Sequence, residues 1–273
     1  MIYNGSTIYN EGAGGGGAVA ITTKMIDSEV GIKVVDENGY VGATLTDYFP
    51  HVENTYYNNY AIIVDGVDFS QSGLGRVTFI TPGSADIGGR TYRTVNIGGV
   101  TWLAENLDFK FSGCNIGGSG TPSTPNAWYY NNDEATYGID GTRKCGLLYN
   151  WYACKLLNDN RSELIPGWHV PTNDEWTALA NAVGGTSTAG TKLKATNVSW
   201  ATSWGGTDDY GFGVLPAGHY NGIFLDVGSI ATFWSITESG SNAYYRNFDT
   251  GAPMYENAYY KNRGYSVRLV KDS

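Results

Sequence analysis

The sequence predicts an α+β domain preceded by a small all-β domain, and three observations predict it. Residues 30–80 read as short strands separated by Asn-Gly and Asp-Gly turns. Residues 89–103 read as a hairpin, and two stretches of helical periodicity follow. Beyond Gly184-Gly185, short apolar runs alternate with Gly-rich loops, which reads as antiparallel strands and loops to the C-terminus.

Composition narrows the class. A chain of 273 residues suffices for one large or two ordinary domains. Charged residues are only 16%, against 38 Gly and 21 Tyr, a balance that suits turn-rich extracellular or virion β-structure better than a helical cytosolic enzyme. The net charge of −9 argues against a phosphate-backbone partner, so no nucleic acid is expected. No apolar run reaches bilayer length, so no membrane insertion is expected. Met1-Ile2-Tyr3-Asn4-Gly5 lacks a basic n-region and an apolar h-region, so no signal peptide is expected. Either a leader has been removed, or the protein reaches the outside by another route, as phage structural proteins do by lysis. Cys114, Cys145 and Cys154 form neither a Cys-x-x-Cys nor a Cys/His cluster, which disfavours zinc. Cys145 and Cys154 read as small buried hydrophobes, with a disulfide as the alternative.

In chain order, residues 1–20 read as a Gly-rich lead. The run at 12–17 cannot pack a core and is either flexible or tightly packed within an oligomer. Residues 21–85 read as a β-sandwich-like module for attachment or oligomerisation. Its strands are Val30–Val35, Tyr40–Leu45, Ala61–Val64, Val67–Phe69 and Arg76–Ile80, and Thr81-Pro82-Gly83-Ser84 marks its end. Residues 86–273 form the larger domain. Thr91–Ile97 and Val100–Leu103 pair across Gly98-Gly99, and residues 112–126 are loop. Leu147, Trp151 and Cys154, widened by Leu148 and Tyr152, predict a helix over 146–158. Thr172 and Glu175 form a capping box after Pro171; Trp176, Leu179, Ala180 and Val183 then share a face, and Gly184-Gly185 stops that second helix. Strands are predicted at Phe212–Leu215, Ala231–Ile236, Ala243–Phe248 and Tyr265–Val270; in the last, Tyr265, Val267 and Leu269 alternate with Ser266, Arg268 and Val270. Trp102, Trp151, Trp168 and Trp176 are assigned to the core.

The last third has the composition of a binding surface. Tyr244, Tyr245, Tyr255, Tyr259, Tyr260 and Tyr265 lie among Asn242, Asn247, Asn257 and Asn262, the mixture of rigid rings and adaptable amides that paratopes use. It holds no nucleophile–base pair. His169 reads as a framework histidine with a fixed hydrogen bond. Asp208 and Asp209 are calcium candidates, with turn capping as the simpler reading. Glu238 is either a ligand contact or a buried framework acceptor. Glu105 lacks a partner carboxylate at defined spacing, so glycoside hydrolysis is not indicated, and the Gly-x-Gly pieces lack the strand–helix context of a nucleotide site.

A series of segments carries a family resemblance. They are Tyr92–Gly98, Trp102–Leu107, Gly146–Trp151, Pro166–Pro171, Glu175-Trp176, Thr207–Phe212, Phe233-Trp234-Ser235, Thr237-Glu238 and Gly264–Arg268. In that order, over about residues 88–272, the chain resembles the Fibrobacter succinogenes major paralogous domain, related to the formylglycine-generating-enzyme-like branch of the C-type lectin fold. The resemblance implies a C-type lectin-like domain over 86–273. Many such domains are variable proteins of diversity-generating retroelements, in phage tail tips or on bacterial surfaces, where fixed framework residues alternate with variable ligand-facing ones. Trp234-Ser235, Thr237-Glu238, Asn242-Ala243-Tyr244, Arg246 and Gly264–Arg268 fit the framework. The implied ligand-facing residues are Ile223, Phe224, Leu225, Asp226, Ile230, Thr232, Ser239, Ser241, Tyr245, Asp249, Thr250, Tyr255, Asn257 and Tyr259, which are chemically unrelated and follow no structural period. Cys145 stands where the family leads one to expect an aromatic. Formylglycine-generating enzymes use C-terminal cysteines, whereas every Cys here precedes residue 155, so no enzyme activity is expected.

The reading is a receptor-binding protein or adhesin, a phage tail-fibre or tail-tip protein of the virion diversified by a retroelement. Its partner is a cell-surface protein or glycan of a host or neighbouring cell. No cofactor is expected apart from the calcium candidates. A homo-oligomer is expected, a trimer by analogy with phage fibres. The alternative is an extracellular carbohydrate- or protein-binding module of a bacterial cell surface.

Overall fold

The computed structural model describes residues 83–273 except 119, 120, 197 and 202, together with the backbone of short strands in the first 82 residues. The chain divides into two units, Met1–Pro82 and Gly83–Ser273.

In the first unit, β1 (Ile2–Asn4), β2 (Thr7–Tyr9), β3 (Val19–Lys24) and β6 (Ala61–Val64) form one antiparallel sheet in the order β1-β2-β3-β6. A second sheet has the order β5-β4-β7, from β4 (Lys33–Val35), β5 (Val41–Thr44) and β7 (Val77–Thr78). The β4–β5 pairing is the hairpin expected across Asn38-Gly39. β1 and β2 fall inside the stretch read from sequence as a lead, and their pairing with β3 makes them part of a sheet. The glycine run at 12–17 and the strand expected at 67–69 lie outside the described residues.

The second unit is built on a five-stranded antiparallel sheet, order β14-β20-β10-β9-β8. Its strands are β8 (Gly83–Ile87), β9 (Arg90–Ile97), β10 (Val100–Leu103), β14 (Trp168–His169) and β20 (Val270–Lys271). The β9–β10 turn is Gly98-Gly99 with φ of 62° and 86°, a backbone that glycine adopts without the Cβ penalty and that matches strand twist. Residues 83–85, read from sequence as the end of the first module, belong to this sheet. Between β10 and β14 the chain makes a small sheet, order β11-β12-β13, from β11 (Asn115–Ile116), β12 (Asn126–Trp128) and β13 (Leu148–Tyr149). A short helix, α1 (Glu134–Tyr137), follows a 3-10 turn there.

Four further helices follow: α2 (Trp151–Asp159), α3 (Arg161–Leu164), α4 (Asn173–Ala182) and α5 (Thr186–Leu193). The first expected helix begins at Trp151 rather than Gly146. Asn150 caps it by accepting from the Ala153 N–H, so Leu148 and Tyr149 are left to pair as β13. α4 carries the predicted capping box: the Glu175 N–H donates to Thr172 Oγ1 and the Thr172 N–H donates to Glu175 Oε2. α5 overturns the expectation of strand and loop after Gly185. Its Thr- and Gly-rich sequence is a poor helix former, and packing stabilises it instead. A Cβ on Gly190 would lie 2.4 Å from the Pro253 carbonyl oxygen, so the residue there must be glycine for α5 to sit on that backbone.

The remaining strands are β15 (His219–Tyr220) and β16 (Phe224–Leu225), then the meander β17 (Ala231–Ser239), β18 (Asn242–Phe248) and β19 (Met254–Tyr260). The strand expected at Phe212–Leu215 reduces to a bridge between Lys194 and Val214. The strand expected at Tyr265–Val270 runs mostly as bridges, Tyr149 to Tyr265 and Phe233 to Ser266, before entering β20. The predicted alternation in that segment does not separate core from solvent, because Tyr265 to Val270 are all buried.

The expected tryptophans are in the core. Trp102 packs on Trp176 at 5.0 Å and on Phe212 at 5.8 Å, and Trp176 packs on Phe233 at 5.6 Å. Arg268 is fully buried at the centre. Its Nε donates to Asn106 Oδ1, its Nη1 to the carbonyls of Leu103 and Phe212, and its Nη2 to that of Gly213. Burial brings its pKa down to about 9, so it stays charged at neutral pH and is held by oxygens rather than by a carboxylate. His169 has the fixed hydrogen bonds expected of it: Nδ1 meets Asp272 at 2.6 Å and Nε2 meets Glu175 at 2.8 Å. The Glu175 hydrogen bond raises the His169 pKa, and against its own burial Glu175 is held down at about 2 by His169 and the Thr172 N–H.

Candidate ligand-binding face

The meander's register sorts its side chains. Thr232 pairs with Asn247, which pairs with Tyr255; Trp234 pairs with Tyr245, which pairs with Asn257. Cross-strand partners point to the same side and residues two apart share a side. One face therefore carries Thr232, Trp234, Tyr245, Asn247, Tyr255, Asn257 and Tyr259. The other carries Phe233, Arg246, Phe248 and Met254, all buried against the helices. On that inner side, Arg246 Nη1 donates to Asn173 Oδ1 at 2.7 Å, and Nη2 donates to Thr177 Oγ1 and pairs with Glu256 at 2.8 Å. The meander is thus tied to the first turn of α4.

Four implied ligand-facing residues, Ile230, Thr232, Tyr245 and Tyr259, line one concavity of about 270 Å³. Tyr255 and Asn257 stand beside it on β19, with Tyr255 41% and Tyr259 39% exposed. The reading that these residues follow no structural period is corrected for five of them: Thr232, Tyr245, Tyr255, Asn257 and Tyr259 share one face of the meander, whereas Phe224 and Leu225 are adjacent in β16. Tyr265, grouped from sequence with the surface tyrosines, is buried, with its ring 4.3 Å from Trp234 and 4.9 Å from Tyr245.

The other implied residues are spread around the rim or fixed elsewhere. Ile223 is 63% exposed in the β15–β16 turn. Phe224 is half-buried on Tyr130 and Tyr220, and Leu225 follows it in β16. Asp226 sits at φ 63°, its carboxylate 3.6 Å from His219 Nδ1. Ser239 and Ser241 flank the β17–β18 turn, and Thr250 is exposed in the next turn. Asp249 shapes that turn, accepting from the Gly251 N–H at 2.7 Å.

The concavity also has lining residues outside the implied ligand-facing set: His219, Asn221, Asn247 and Arg263. Asn247 was within reach of a parity argument from Tyr245. His219 and Arg263 come from loops joined by paired hydrogen bonds between Tyr220 and Gly264, both at 2.9 Å. A Cβ on Gly264 would lie 2.8 Å from Tyr220 Cβ and 3.1 Å from the Trp128 ring, so glycine lets the loops close. Thr232 Oγ1, His219 Nδ1 and Arg263 Nε are buried without a hydrogen-bond partner among the described residues. Burial lowers the His219 pKa, and the nearby Asp226 only partly offsets this. A second concavity, of about 250 Å³, lies between Asp108, Lys110, Tyr129 and Glu134. Its charges satisfy one another: Lys110 donates to both Glu134 oxygens at 2.7 Å, and the Tyr129 hydroxyl donates to Asp108 at 2.7 Å.

The calcium candidates are engaged in a turn. Asp208, at φ 45°, accepts from the Gly213 N–H through Oδ1, and the Asp209 N–H donates to the Lys192 carbonyl. Among the described residues no group of three or more His, Cys, Asp or Glu side chains is placed to hold a metal ion. Glu238 is exposed and paired with Lys261 at 2.9 Å, which overturns the reading of it as a buried framework acceptor. Glu105 accepts from the Arg93 N–H at 2.7 Å. Burial pushes the thiols of Cys114 and Cys145 up to about 12. No helix among the described residues is long and apolar enough to cross a membrane.

These features define a mixed α+β domain whose small outer sheet turns one tyrosine-bearing face to solvent. Residues 95–271 match the Fibrobacter succinogenes major domain, and the chain belongs to that family. No curated protein and no solved structure matches it.

Proposed function

We propose that the second unit is a C-type lectin-like binding domain without enzymatic activity, and that the chain is a receptor-binding protein or adhesin. The observation that carries this is the division of the β17–β18–β19 sheet. Its inner face is locked to α4 by Arg246, and its outer face presents Thr232, Tyr245, Asn247, Tyr255, Asn257 and Tyr259 around a concavity. Substitutions on such a face leave the fold intact, which is the property a retroelement-diversified tail-fibre or tail-tip protein requires. The partner is a protein or glycan on a host or neighbouring cell. Assembly as a homo-oligomer, a trimer by analogy with phage fibres, multiplies weak single-site binding by about 10²–10⁴ through avidity. Replacing residues 220–263 with those of a related chain bearing a different face is expected to transfer that chain's ligand. Chimaeras that keep the original ligand overturn the assignment. A near-copy of this coding segment, differing only at adenines and adjoining a reverse transcriptase gene, is the genomic counterpart.

The second reading, a carbohydrate- or protein-binding module of a bacterial surface, is favoured by the concavity itself. A pocket with buried, unpartnered polar groups suits a small polar ligand better than a flat protein epitope.

A further inference from the structure

We infer that the concavity between β15, β18 and the Arg263 loop receives a carboxylated sugar residue, its carboxylate on Arg263 and Thr232 and its ring against Tyr245 and Tyr259. The inference rests on the ligand-binding reading of this face and adds the chemistry of the ligand.

Three polar atoms in the lining, Thr232 Oγ1, His219 Nδ1 and Arg263 Nε, are buried with no hydrogen-bond partner among the described residues, and Thr232 as a whole is only 4% exposed. Buried polar groups in folded proteins are almost always hydrogen-bonded, so the orphaned Thr232 Oγ1 and Arg263 Nε on one hollow, with His219 Nδ1 facing only Asp226 at 3.6 Å, point to a ligand. Arg263 can only donate, while a hydroxyl and an imidazole can each donate, so the group that satisfies all three is one of acceptor oxygens. Charge selects further. In a chain of net charge −9, Arg263 makes no ion pair among the described residues, and no carboxylate lines the hollow. Asp226 approaches only the His219 edge, and its side chain is 43% exposed. The Arg263 guanidinium lies 5.4 Å from the Tyr259 ring centre, an arrangement that holds it in place while leaving in-plane donors free.

The rest of the lining separates a sugar from an acidic side chain. Asn221 and Asn247 each offer a donor and an acceptor, which matches hydroxyls that do both. Tyr245 and Tyr259 add aromatic rings to the lining, apolar surface for the C–H side of a pyranose. At about 270 Å³, the hollow falls just below the roughly 300–1,000 Å³ of sites for drug-sized ligands, the size of one ring with its substituents. An aspartate or glutamate side chain has no hydroxyls to meet the two amides and no ring to lie against the tyrosines.

The test is titration of the full chain with methyl glucuronide, methyl galacturonide and a methyl sialoside, each beside its carboxylate methyl ester, and with methyl glucoside. At least one acid is expected to bind, its ester and the glucoside at least about tenfold more weakly. Arg263→Gln is expected to bring the acid down to the level of its ester without shifting the melting temperature. The ester comparison stands even if that variant is unstable. Equal binding of acid and ester, no binding of any acid, or tighter binding of N-acetylglutamate methylamide overturns the inference. Cell adhesion by wild type and by Tyr255→Ala, Tyr259→Ala separates the two readings. Adhesion that needs those tyrosines while the acids fail leaves the binding face standing and removes only the sugar.

Discussion

The two faces of the β17–β18–β19 sheet come from the same residues in alternation, yet they obey different rules. The inner face holds Phe233, Arg246, Phe248 and Met254, each 2% exposed or less. There a lost methylene leaves a cavity and a lost donor leaves an orphaned acceptor. The outer face carries the buried Thr232 and Trp234 on β17, but at its β19 edge Tyr255, Asn257 and Tyr259 reach solvent. From Met254 to Tyr255, a single step along β19, the chain passes from core to solvent. A chain that needs to vary its ligand and keep its fold gains both from one meander.

The largest effects are expected on the buried side. Arg268→Met removes the donor shared by Leu103, Asn106, Phe212 and Gly213. The cost is expected at about 3–5 kcal/mol, read as a lower urea midpoint. Phe233→Ala is expected to cost about 3–5 kcal/mol by the cavity it leaves. A loss below about 1 kcal/mol for Phe233→Ala would blur the distinction between the faces. Thr172→Ala, which opens the capping box on the helix that Arg246 grips, is expected to cost about 1 kcal/mol.

A smaller effect comes from pH. His169 has a raised pKa, so its contribution to stability is complete below its unfolded value of 6.5 and is lost as pH rises through the folded value. Glu175 is lowered from 4.5 to about 2, so its contribution is present above 4.5 and is lost as pH falls towards 2. The wild-type melting temperature is therefore expected to fall above neutral pH, and His169→Gln to flatten that fall. A wild type that gains stability relative to His169→Gln over that range contradicts the assignment. The smallest effect is expected on the outer face. Tyr255→Ala should change stability by no more than about 0.5 kcal/mol while weakening adhesion. A large stability loss there would make the tyrosine part of the core.

What was legible in the sequence was local. The Thr172–Glu175 box, the Gly98-Gly99 turn and the aromatic-rich tail each carry their signal within a few residues. α5 was not legible, since its Thr-Ser-Thr-Ala-Gly stretch has no helical preference and is held by Gly190 against Pro253. Tyr265 looked like its neighbours but is buried under Tyr245, because the chain after Gly264 turns inward between β13 and β17. The concavity was half visible: Thr232, Tyr245 and Tyr259 were marked by composition and family resemblance, whereas His219 and Arg263 meet only through the Tyr220–Gly264 pairing.

β20 lies between β10 and β14 in the five-stranded sheet, so the domain's final strand fills an interior slot of the second unit's main sheet. Until it leaves the ribosome, Trp102 and His169 lack the strand that joins them. Synthesis of this domain therefore reaches β20 last, and a chain without it is expected to leave β14 without its partner strand.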